Sequence, residues 1–250
     1  MESCHSTETK EADTSPEKVI LIGNPNVGKS VIFNYLTGKY VTVSNYPGTT
    51  VEVALGTMAA QGKKLHVMDT PGINSLIPTS EDEKVTRDIL LKEPKPYLIQ
   101  ITDAKNLRRG LLISLQLSEM GLPFLIVLNM WDEAKSRGIE IQTRALSKHL
   151  GIPILKTVAT RRKGLDKISE NLQTQPPSSL SIAYPEAIEM GASRIESLLP
   201  EASISKRSLA LMLLSGDVSL AQWLHQNLSE EEILQIEKIR QEIQARFVDP

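Results

Sequence analysis

The fold of this chain is decided by the stretch Gly23-Asn24-Pro25-Asn26-Val27-Gly28-Lys29-Ser30. The stretch follows the apolar run Lys18 to Ile22 and precedes a segment with apolar residues at helical spacing, so a strand leads into a glycine-rich loop that opens a helix. It matches the pattern GxxxxGK[ST] at every defined position. The glycines let backbone N–H groups turn toward an anion, and the helix dipole adds to the attraction. The sequence therefore predicts a phosphate-binding loop rather than a turn with chance glycines.

Within this loop, individual residues have separate expected tasks. Lys29 reaches the β and γ phosphates of a nucleotide, and the Ser30 hydroxyl binds Mg²⁺. The other loop positions supply backbone groups around the phosphates. The expected contacts are Gly23, Asn24, Asn26, Val27, Gly28, Lys29, Ser30 and Val31.

Composition limits the class of protein. The chain has 250 residues, 40% of them hydrophobic and 23% charged, which suits a nucleotide-binding domain with a smaller second domain. A net charge of −2 gives no general attraction to nucleic acid. The single cysteine, Cys4, excludes an internal disulfide framework and favours a reducing compartment. Apolar runs such as Pro123 to Leu128 fall far short of the roughly 20 residues that cross a bilayer. We therefore expect a cytoplasmic location.

A second nucleotide motif follows a predicted hairpin. Val51 to Met58 and Lys63 to Met68 read as antiparallel strands, and the second strand delivers Asp69-Thr70-Pro71-Gly72. An aspartate at the end of a strand holds Mg²⁺ through water, and a nearby glycine can give its N–H to the γ-phosphate. Residues 39–50, ahead of the hairpin, read as a loop.

The base-recognition motif comes after a buried strand. The apolar run Phe124 to Leu128 ends in Asn129-Met130-Trp131-Asp132. A carboxylate at the last position can accept hydrogen bonds from both N1–H and N2–H₂ of guanine, a donor pair that adenine lacks. The alternative is a helix N-cap at Asn129 or Asp132. Further on, Thr157-Val158-Ala159 resembles the Ser-Ala turn of GTPases, whose backbone N–H meets guanine O6, although Val158 replaces the serine.

The remaining pattern predicts the domain organisation. Ser80 to Glu83 has capping-box spacing for a helix ending near Leu91, and no strand is predicted beyond the linker. Asp217 should cap a helix that reaches Leu228, and Ser229 to Glu232 should open a last one. We expect a disordered polar leader (residues 1–17), an α/β domain with a mostly parallel sheet flanked by helices (18–174), a linker (175–183) and a small helical bundle (184–250).

Taken together, the motifs resemble the cytosolic GTPase portion of FeoB-type ferrous iron transporters. The resemblance covers about Glu17 to Pro250 and is strongest up to Leu172. It implies a Ras/Era-like P-loop GTPase fold followed by an all-α domain. It rests on the spelling and order of Gly23-Asn24-Pro25-Asn26, Asn45-Tyr46-Pro47-Gly48-Thr49-Thr50-Val51-Glu52, Asp69-Thr70-Pro71-Gly72-Ile73, Thr102-Asp103-Ala104 and Leu128-Asn129-Met130-Trp131-Asp132.

The resemblance also implies an activity and partners. It implies binding of GTP with Mg²⁺, slow hydrolysis to GDP and phosphate, and regulation of ferrous iron uptake. The partner would be a transmembrane iron-permease domain in the same or a neighbouring chain, at the cytoplasmic face of the inner membrane. In the resembled family the helical domain modulates GDP retention.

The expected catalytic groups depart from the Ras pattern. The water-orienting glutamine of Ras-like enzymes is replaced by Ile73, which can neither accept a proton nor orient water. In the resembled family an asparagine at the position of Asn26 helps to hold K⁺ beside the phosphates, so hydrolysis should be potassium-stimulated. Thr50 is the expected switch threonine for Mg²⁺ and the γ-phosphate, its neighbour Thr49 is the alternative, and Gly48 lies beside them. The expected catalytic set is Asn26, Lys29, Thr50 and Gly72.

Two other functions stay open at this stage. One is a stand-alone Era-like regulatory GTPase acting on RNA or the ribosome, although Tyr184 to Pro250 mixes acidic and basic residues rather than forming a basic module. The other is a GTP-dependent binding switch with negligible turnover, which Ile73 makes plausible. Direct iron binding has little support, because the four histidines are scattered without ligand spacing.

Overall fold

A seven-stranded sheet forms the first domain. The computed structural model describes residues 17–38, 41–172 and 175–247, so the expected disordered leader lies almost entirely outside the described residues. The strand order is β2-β3-β4-β1-β5-β6-β7, and all pairs are parallel except β2 with β3 and β3 with β4. The strands are β1 (Lys18–Gly23), β2 (Val41–Asn45), β3 (Glu52–Ala60), β4 (Lys63–Asp69), β5 (Tyr97–Asp103), β6 (Phe124–Asn129) and β7 (Ile154–Lys156).

Helices cover the sheet and form the second domain. Those of the first domain are α1 (Lys29–Thr37), α2 (Glu81–Lys92), α3 (Leu107–Glu119), α4 (Trp131–Ser136), α5 (Thr143–Leu150) and α6 (Asp166–Asn171). Those of the second are α7 (Glu186–Glu196), α8 (Lys206–Leu214), α9 (Ala221–Asn227) and α10 (Glu230–Ala245). The expected α/β architecture with an appended helical domain is confirmed.

The two domains share one hydrophobic core. The central strands β1, β5 and β6 are buried on both faces, as expected of parallel strands covered by helices on each side, and β5 includes two buried polar residues, Gln100 and Thr102. On one face, Leu98 and Ile113 of the sheet domain belong to the same buried cluster as Ile195, Leu209 and Ile239 of the helical domain. The opposite face packs on α1 and α6 as a separate cluster. The helical domain therefore completes the core of the sheet domain.

A buried ion-pair network also joins the domains. Arg87 of α2 has no exposed surface, and its guanidinium donates to Asp88 Oδ1 at 2.8 Å, Asp217 Oδ2 at 2.6 Å and Ser219 Oγ at 2.8 Å. Asp217 also accepts from the backbone N–H of Ser219. This hydrogen bond caps a short 3₁₀ turn, Val218–Leu220, that precedes α9. The predicted cap at Asp217 is thus present. It caps the 3₁₀ turn, and α9 itself begins only after that turn.

Two local predictions were wrong. Residues 39–50 were expected to be a loop, but Val41–Asn45 forms β2, which pairs with β3 at the edge of the sheet. All five residues of β2 are exposed, so the strand has no pattern of buried and exposed residues that would predict it. The capping box at Ser80 is only half formed: Ser80 Oγ accepts from Glu83 N at 3.3 Å, but the Glu83 side chain turns away toward the preceding loop. The capping box at Ser229 is complete. Strand β7 ends at Lys156, and Val158 pairs with Lys163 in an isolated bridge beyond it.

Over the described residues, no helix is long and apolar enough to cross a bilayer.

Candidate functional site

A cleft of about 610 Å³ lies where the phosphate loop meets the Asn129–Asp132 motif. It sits beyond the carboxyl ends of β1 and β6, the edge at which open α/β sheets bind ligands. Several lining residues were predicted from sequence, whereas Pro25, Asp82, Glu133 and Thr160 were not. The lining residues are Asn24, Pro25, Asn26, Gly28, Lys29, Ser30, Val31, Gly72, Asp82, Asn129, Met130, Asp132, Glu133, Val158, Ala159 and Thr160.

Asn129 braces the loops around the cleft. Its Nδ2 donates to Val27 O at 2.9 Å, and its Oδ1 accepts from Thr157 Oγ1 at 3.1 Å and from Ala159 N at 3.0 Å. Gly28 has φ 85°, and a Cβ there would lie 2.4 Å from Asn129 Nδ2, so only glycine admits this contact. Asn129 is buried and does not act as an N-cap. It holds the phosphate loop against the base-recognition loops.

Asp132 presents a carboxylate to the same cleft. Its side chain is about one-third exposed at 34%, its Oδ1 accepts from Glu133 N at 3.0 Å, and Arg161 Nη1 lies 3.6 Å from its Oδ2. The contact with Arg161 is long and exposed, so it competes only weakly with a ligand. The carboxylate is therefore available to the two N–H donors of guanine.

The turn expected to meet guanine O6 has other hydrogen-bond partners. Val158 N donates to Lys163 O at 3.0 Å, and Ala159 N donates to Asn129 Oδ1. Both residues line the cleft, but neither backbone N–H is free in this arrangement. The O6 contact expected of them stays a prediction, and a bound guanine would have to share or replace the Ala159 donor that the Asn129 brace uses.

Lys29, Ser30 and Asp69 form the charged centre of the site. Lys29 Nζ lies 2.5 Å from Asp69 Oδ1 and also donates to Thr70 O. Ser30 Oγ donates to Asp69 Oδ2 at 3.1 Å. A hydroxyl and a carboxylate thus converge beside the loop, which is the set of hard oxygen donors that Mg²⁺ prefers. Among the described residues, no cluster of three or more His, Cys, Asp or Glu could hold a metal by itself.

The Asp69–Gly72 loop packs directly on the phosphate loop. A Cβ at Gly72 would lie 2.8 Å from Pro25 Cα, so glycine is required for this approach. Ile73 N donates to Gly23 O at 3.0 Å, and Asn24 Nδ2 donates to Ile73 O at 3.0 Å. The buried Asn24 side chain therefore joins two loops. The Ile73 side chain is 1% exposed and belongs to the core, away from any attacking water.

Glu83 organises the segment that follows Gly72. Its carboxylate accepts from the backbone N–H groups of Asn74, Ser75 and Thr79, and from the Thr79 hydroxyl, at 2.9–3.1 Å. Burial acts to raise the pKa of Glu83, but these hydrogen bonds outweigh it and the pKa is lowered. The sequence indicated Glu83 only as part of a capping box. Four donors on one carboxylate are visible only once the loop is folded.

Asn26 lies at the open side of the loop. It has φ 64°, a left-handed conformation that asparagine tolerates better than most residues, and its side chain is exposed. Asn26 and Val31 both line the cleft. Asn26 thus lies where the phosphate loop faces solvent.

The expected switch residues lie elsewhere. Gly48, Thr49 and Thr50 are absent from the lining of the cleft. Thr49 Oγ1 donates to Tyr46 O at 2.9 Å and accepts from Val51 N at 3.2 Å, whereas the Thr50 side chain is exposed. Of the two neighbours, Thr50 is the one whose side chain is not engaged in this turn.

Family comparisons cover nearly all of the chain. Residues 17–172 match the family model described as "Ferrous iron transport protein B", and residues 184–250 match "FeoB cytosolic helical domain". Among curated proteins, the chain is 38% identical over 212 residues to the Fe(2+) transport protein A/Fe(2+) transporter FeoB fusion protein of Porphyromonas gingivalis, covering 80% of the chain and 25% of that protein. It is 35% identical over 213 residues to the Fe(2+) transporter FeoB of Escherichia coli K12, covering 79% and 27%. The chain thus spans about a quarter of the length of these relatives.

Solved structures match the whole architecture. A GDP-bound variant of the S. thermophilus NFeoB protein superposes with a TM-score of 0.79 at 34% identity, covering 94% of this chain and 92% of that one. The cytosolic domain of the T. maritima FeoB iron transporter in its GMPPNP form superposes with a TM-score of 0.76 at 33% identity, covering 92% and 96%. The same T. maritima domain in a GDP form gives 0.76 at 33% identity, covering 92% and 97%.

Proposed function

Because the chain belongs to the FeoB family of ferrous iron transport proteins, with the GTPase domain and cytosolic helical domain of that family, we propose that it binds GTP with Mg²⁺, hydrolyses it slowly and so regulates ferrous iron uptake. The observation that carries the proposal is the convergence of the phosphate loop, the Asp69–Gly72 loop and the Asp132 carboxylate on one cleft. The convergence supports one nucleotide held at both its phosphates and its base.

Each end of the cleft recognises a different part of the nucleotide. Asp132 accepts from guanine, and the backbone of the phosphate loop with Lys29 holds the phosphates. Ser30 and Asp69, joined by Thr50 in the triphosphate state, would hold Mg²⁺. When bound, Mg²⁺ neutralises charge on the β and γ phosphates. Gly72 gives its N–H to the γ-phosphate, so the loops before and after it respond to hydrolysis.

Hydrolysis in this chain requires a substitute for the Ras glutamine. The Ile73 side chain is buried in the core and cannot face the γ-phosphate. Asn26 is exposed at the cleft with an amide oxygen that can coordinate a monovalent cation. A K⁺ ion held there would supply positive charge beside the phosphates, where charge accumulates in the transition state. We therefore assign K⁺ stimulation to Asn26.

Phosphate release should be faster in potassium than in sodium, and Asn26→Ala should remove that difference. The expected loss is about 10-fold or more in kcat, the scale of one electrostatic contact in a transition state. The measurement is GTP turnover in KCl and NaCl at matched ionic strength. Asn24→Ala is the matched control, because it also removes a loop asparagine, but a buried one that joins two loops. The quantity compared between the two variants is the difference in rate between KCl and NaCl. Equal rates in the two salts for the unaltered chain would refute the assignment.

A second function is favoured by the burial of Ile73. Without a water-orienting side chain, the chain could act as a GTP-dependent binding switch with negligible turnover. The same assay separates the two functions, since a pure switch releases no phosphate above the uncatalysed rate in either salt.

The transport role requires the longer protein. The curated relatives are Fe(2+) transporters more than three times as long as this chain, so we propose a transmembrane iron-permease domain beside it and a position for the chain at the cytoplasmic face of the inner membrane. In cells that depend on such a protein for ferrous iron, Lys29→Ala in this segment should reduce ⁵⁵Fe²⁺ uptake at least 10-fold while the protein remains in the membrane. Lys64→Ala, on the exposed hairpin, is the control. Undiminished uptake in Lys29→Ala would contradict a regulatory role for the nucleotide.

A further inference from the structure

The segment that carries the switch threonine is held at the edge of the sheet. Strand β2 pairs antiparallel with β3, from Val41 opposite Gly56 to Asn45 opposite Glu52. Every residue of β2 is exposed, and Val43 keeps 56% of its surface. Side-chain burial therefore contributes little to the placement of β2, which depends on backbone pairing and on whatever fixes its end.

Tyr46 fixes that end. It is the first residue after β2, and its half-buried ring packs against the core shared by the two domains. Its hydroxyl accepts a hydrogen bond at 2.9 Å from Lys92 Nζ, on the last residue of α2. The same bond is the main reason that the pKa of Lys92 is raised, since it favours the charged ammonium.

The backbone of Tyr46 also closes the turn that contains the threonines. Tyr46 N donates to Val51 O at 2.8 Å, and Tyr46 O accepts from both the N–H and the hydroxyl of Thr49. With this turn closed, Thr49 and Thr50 stay out of the nucleotide cleft. Any movement of Thr50 into the cleft therefore has to open the turn or carry Tyr46 with it.

We infer that Tyr46 is a positioning residue whose contact with Lys92 holds residues 41–50 in the resting arrangement and so weakens GTP binding relative to GDP binding. The inference rests on the proposed function, in which Thr50 contacts the γ-phosphate side. The contact ties residues 41–50 to the far end of α2, the helix whose first turn carries Glu83. A ligand that draws Thr50 inward must give up the Tyr46–Lys92 contact, whereas GDP has no γ-phosphate to draw it.

The test uses Tyr46→Phe, which keeps the ring and removes the hydroxyl, and Lys92→Met, which removes the donor. Each should tighten binding of the non-hydrolysable analogue GMPPNP by about two- to fivefold, the effect of losing one exposed hydrogen bond. GDP affinity should change less than twofold, and kcat at saturating GTP should stay unchanged. The double variant should add nothing further. In the nucleotide-free protein, amide exchange over residues 41–45 should quicken in both variants.

Tyr97→Phe is the matched control, since the Tyr97 hydroxyl also bonds a charged group, Glu17, at 3.3 Å, at the start of β5. It should leave both affinities unchanged. Weaker GMPPNP binding in Tyr46→Phe, or unchanged exchange over 41–45, would overturn the inference. Thr50→Ala tests the proposed role of Thr50 separately from that of Tyr46. If this variant keeps the same preference between GMPPNP and GDP, Thr50 does not contact the γ-phosphate side. Amide exchange over residues 41–45 still reports on the Tyr46–Lys92 contact in that case.

Discussion

Replacing Asp132 by asparagine is expected to weaken GDP binding by about 10²–10⁴-fold. The carboxylate would lose two hydrogen bonds from guanine, and each bond to a charged group contributes about 1.5–3 kcal/mol. An asparagine amide can instead donate to the C2 carbonyl of xanthine and accept from its N1–H. The variant should therefore bind xanthosine diphosphate better than GDP, reversing the preference of the unaltered chain. Calorimetric titration with both nucleotides measures the change.

Asp82→Asn is the matched control for this exchange. Asp82 lines the same cleft but belongs to α2, after the Asp69–Gly72 loop, so it carries the same charge without facing the base motif. It should alter affinity for both nucleotides alike and leave the base preference unchanged. If Asp132→Asn weakened both nucleotides equally, Asp132 would support the loop rather than recognise guanine.

Removing the Arg87 guanidinium should destabilise the protein by about 3–5 kcal/mol. Arg87→Ala leaves Asp217, only 3% exposed, as a buried carboxylate without its cation, and such one-sided losses are costly. The measurement is the urea unfolding midpoint, followed by fluorescence of Trp131 and Trp223, which lie in different domains. Because the network joins the domains, the two probes should shift together.

An ion pair on the surface of α10 provides the comparison. Arg240 and Glu237 lie one turn apart on α10 with 28% and 41% of their side chains exposed. Arg240→Ala should cost less than about 1 kcal/mol, as measured for most surface ion pairs. A loss below that value for Arg87→Ala would show that water or a neighbouring group satisfies Asp217 without the guanidinium.

The features that could be predicted from sequence are those with a local cause. Gly28 and Lys29 occur in a pattern that only a strand, loop and helix can use, and the apolar run before Asn129 indicated a buried strand. These signals placed the loop and the sheet correctly. The bracing role of Asn129 was missed, because the sequence does not show whether an asparagine in this motif bonds to neighbouring loops or to a ligand.

What escaped prediction depends on residues distant in sequence. Strand β2 is exposed and short, so its pairing depends on a neighbour rather than on its own pattern. Arg87 meets Asp217 across 130 residues, and no local rule couples them. Glu83 has capping-box spacing, yet the loop before it offers better donors than the Ser80 backbone. Each case is tertiary context overriding a local preference.

The shared core has a consequence for synthesis. All seven described strands are complete once Lys156 has been added, but one face of the sheet packs partly on Ile195, Leu209, Ile239 and Ile243. At about 5–20 residues per second, the ribosome needs several seconds to deliver them. During that interval the newly made sheet presents an apolar face without its cover. A chaperone that shields nascent chains should therefore bind this protein most strongly when synthesis is paused between the sheet and α10.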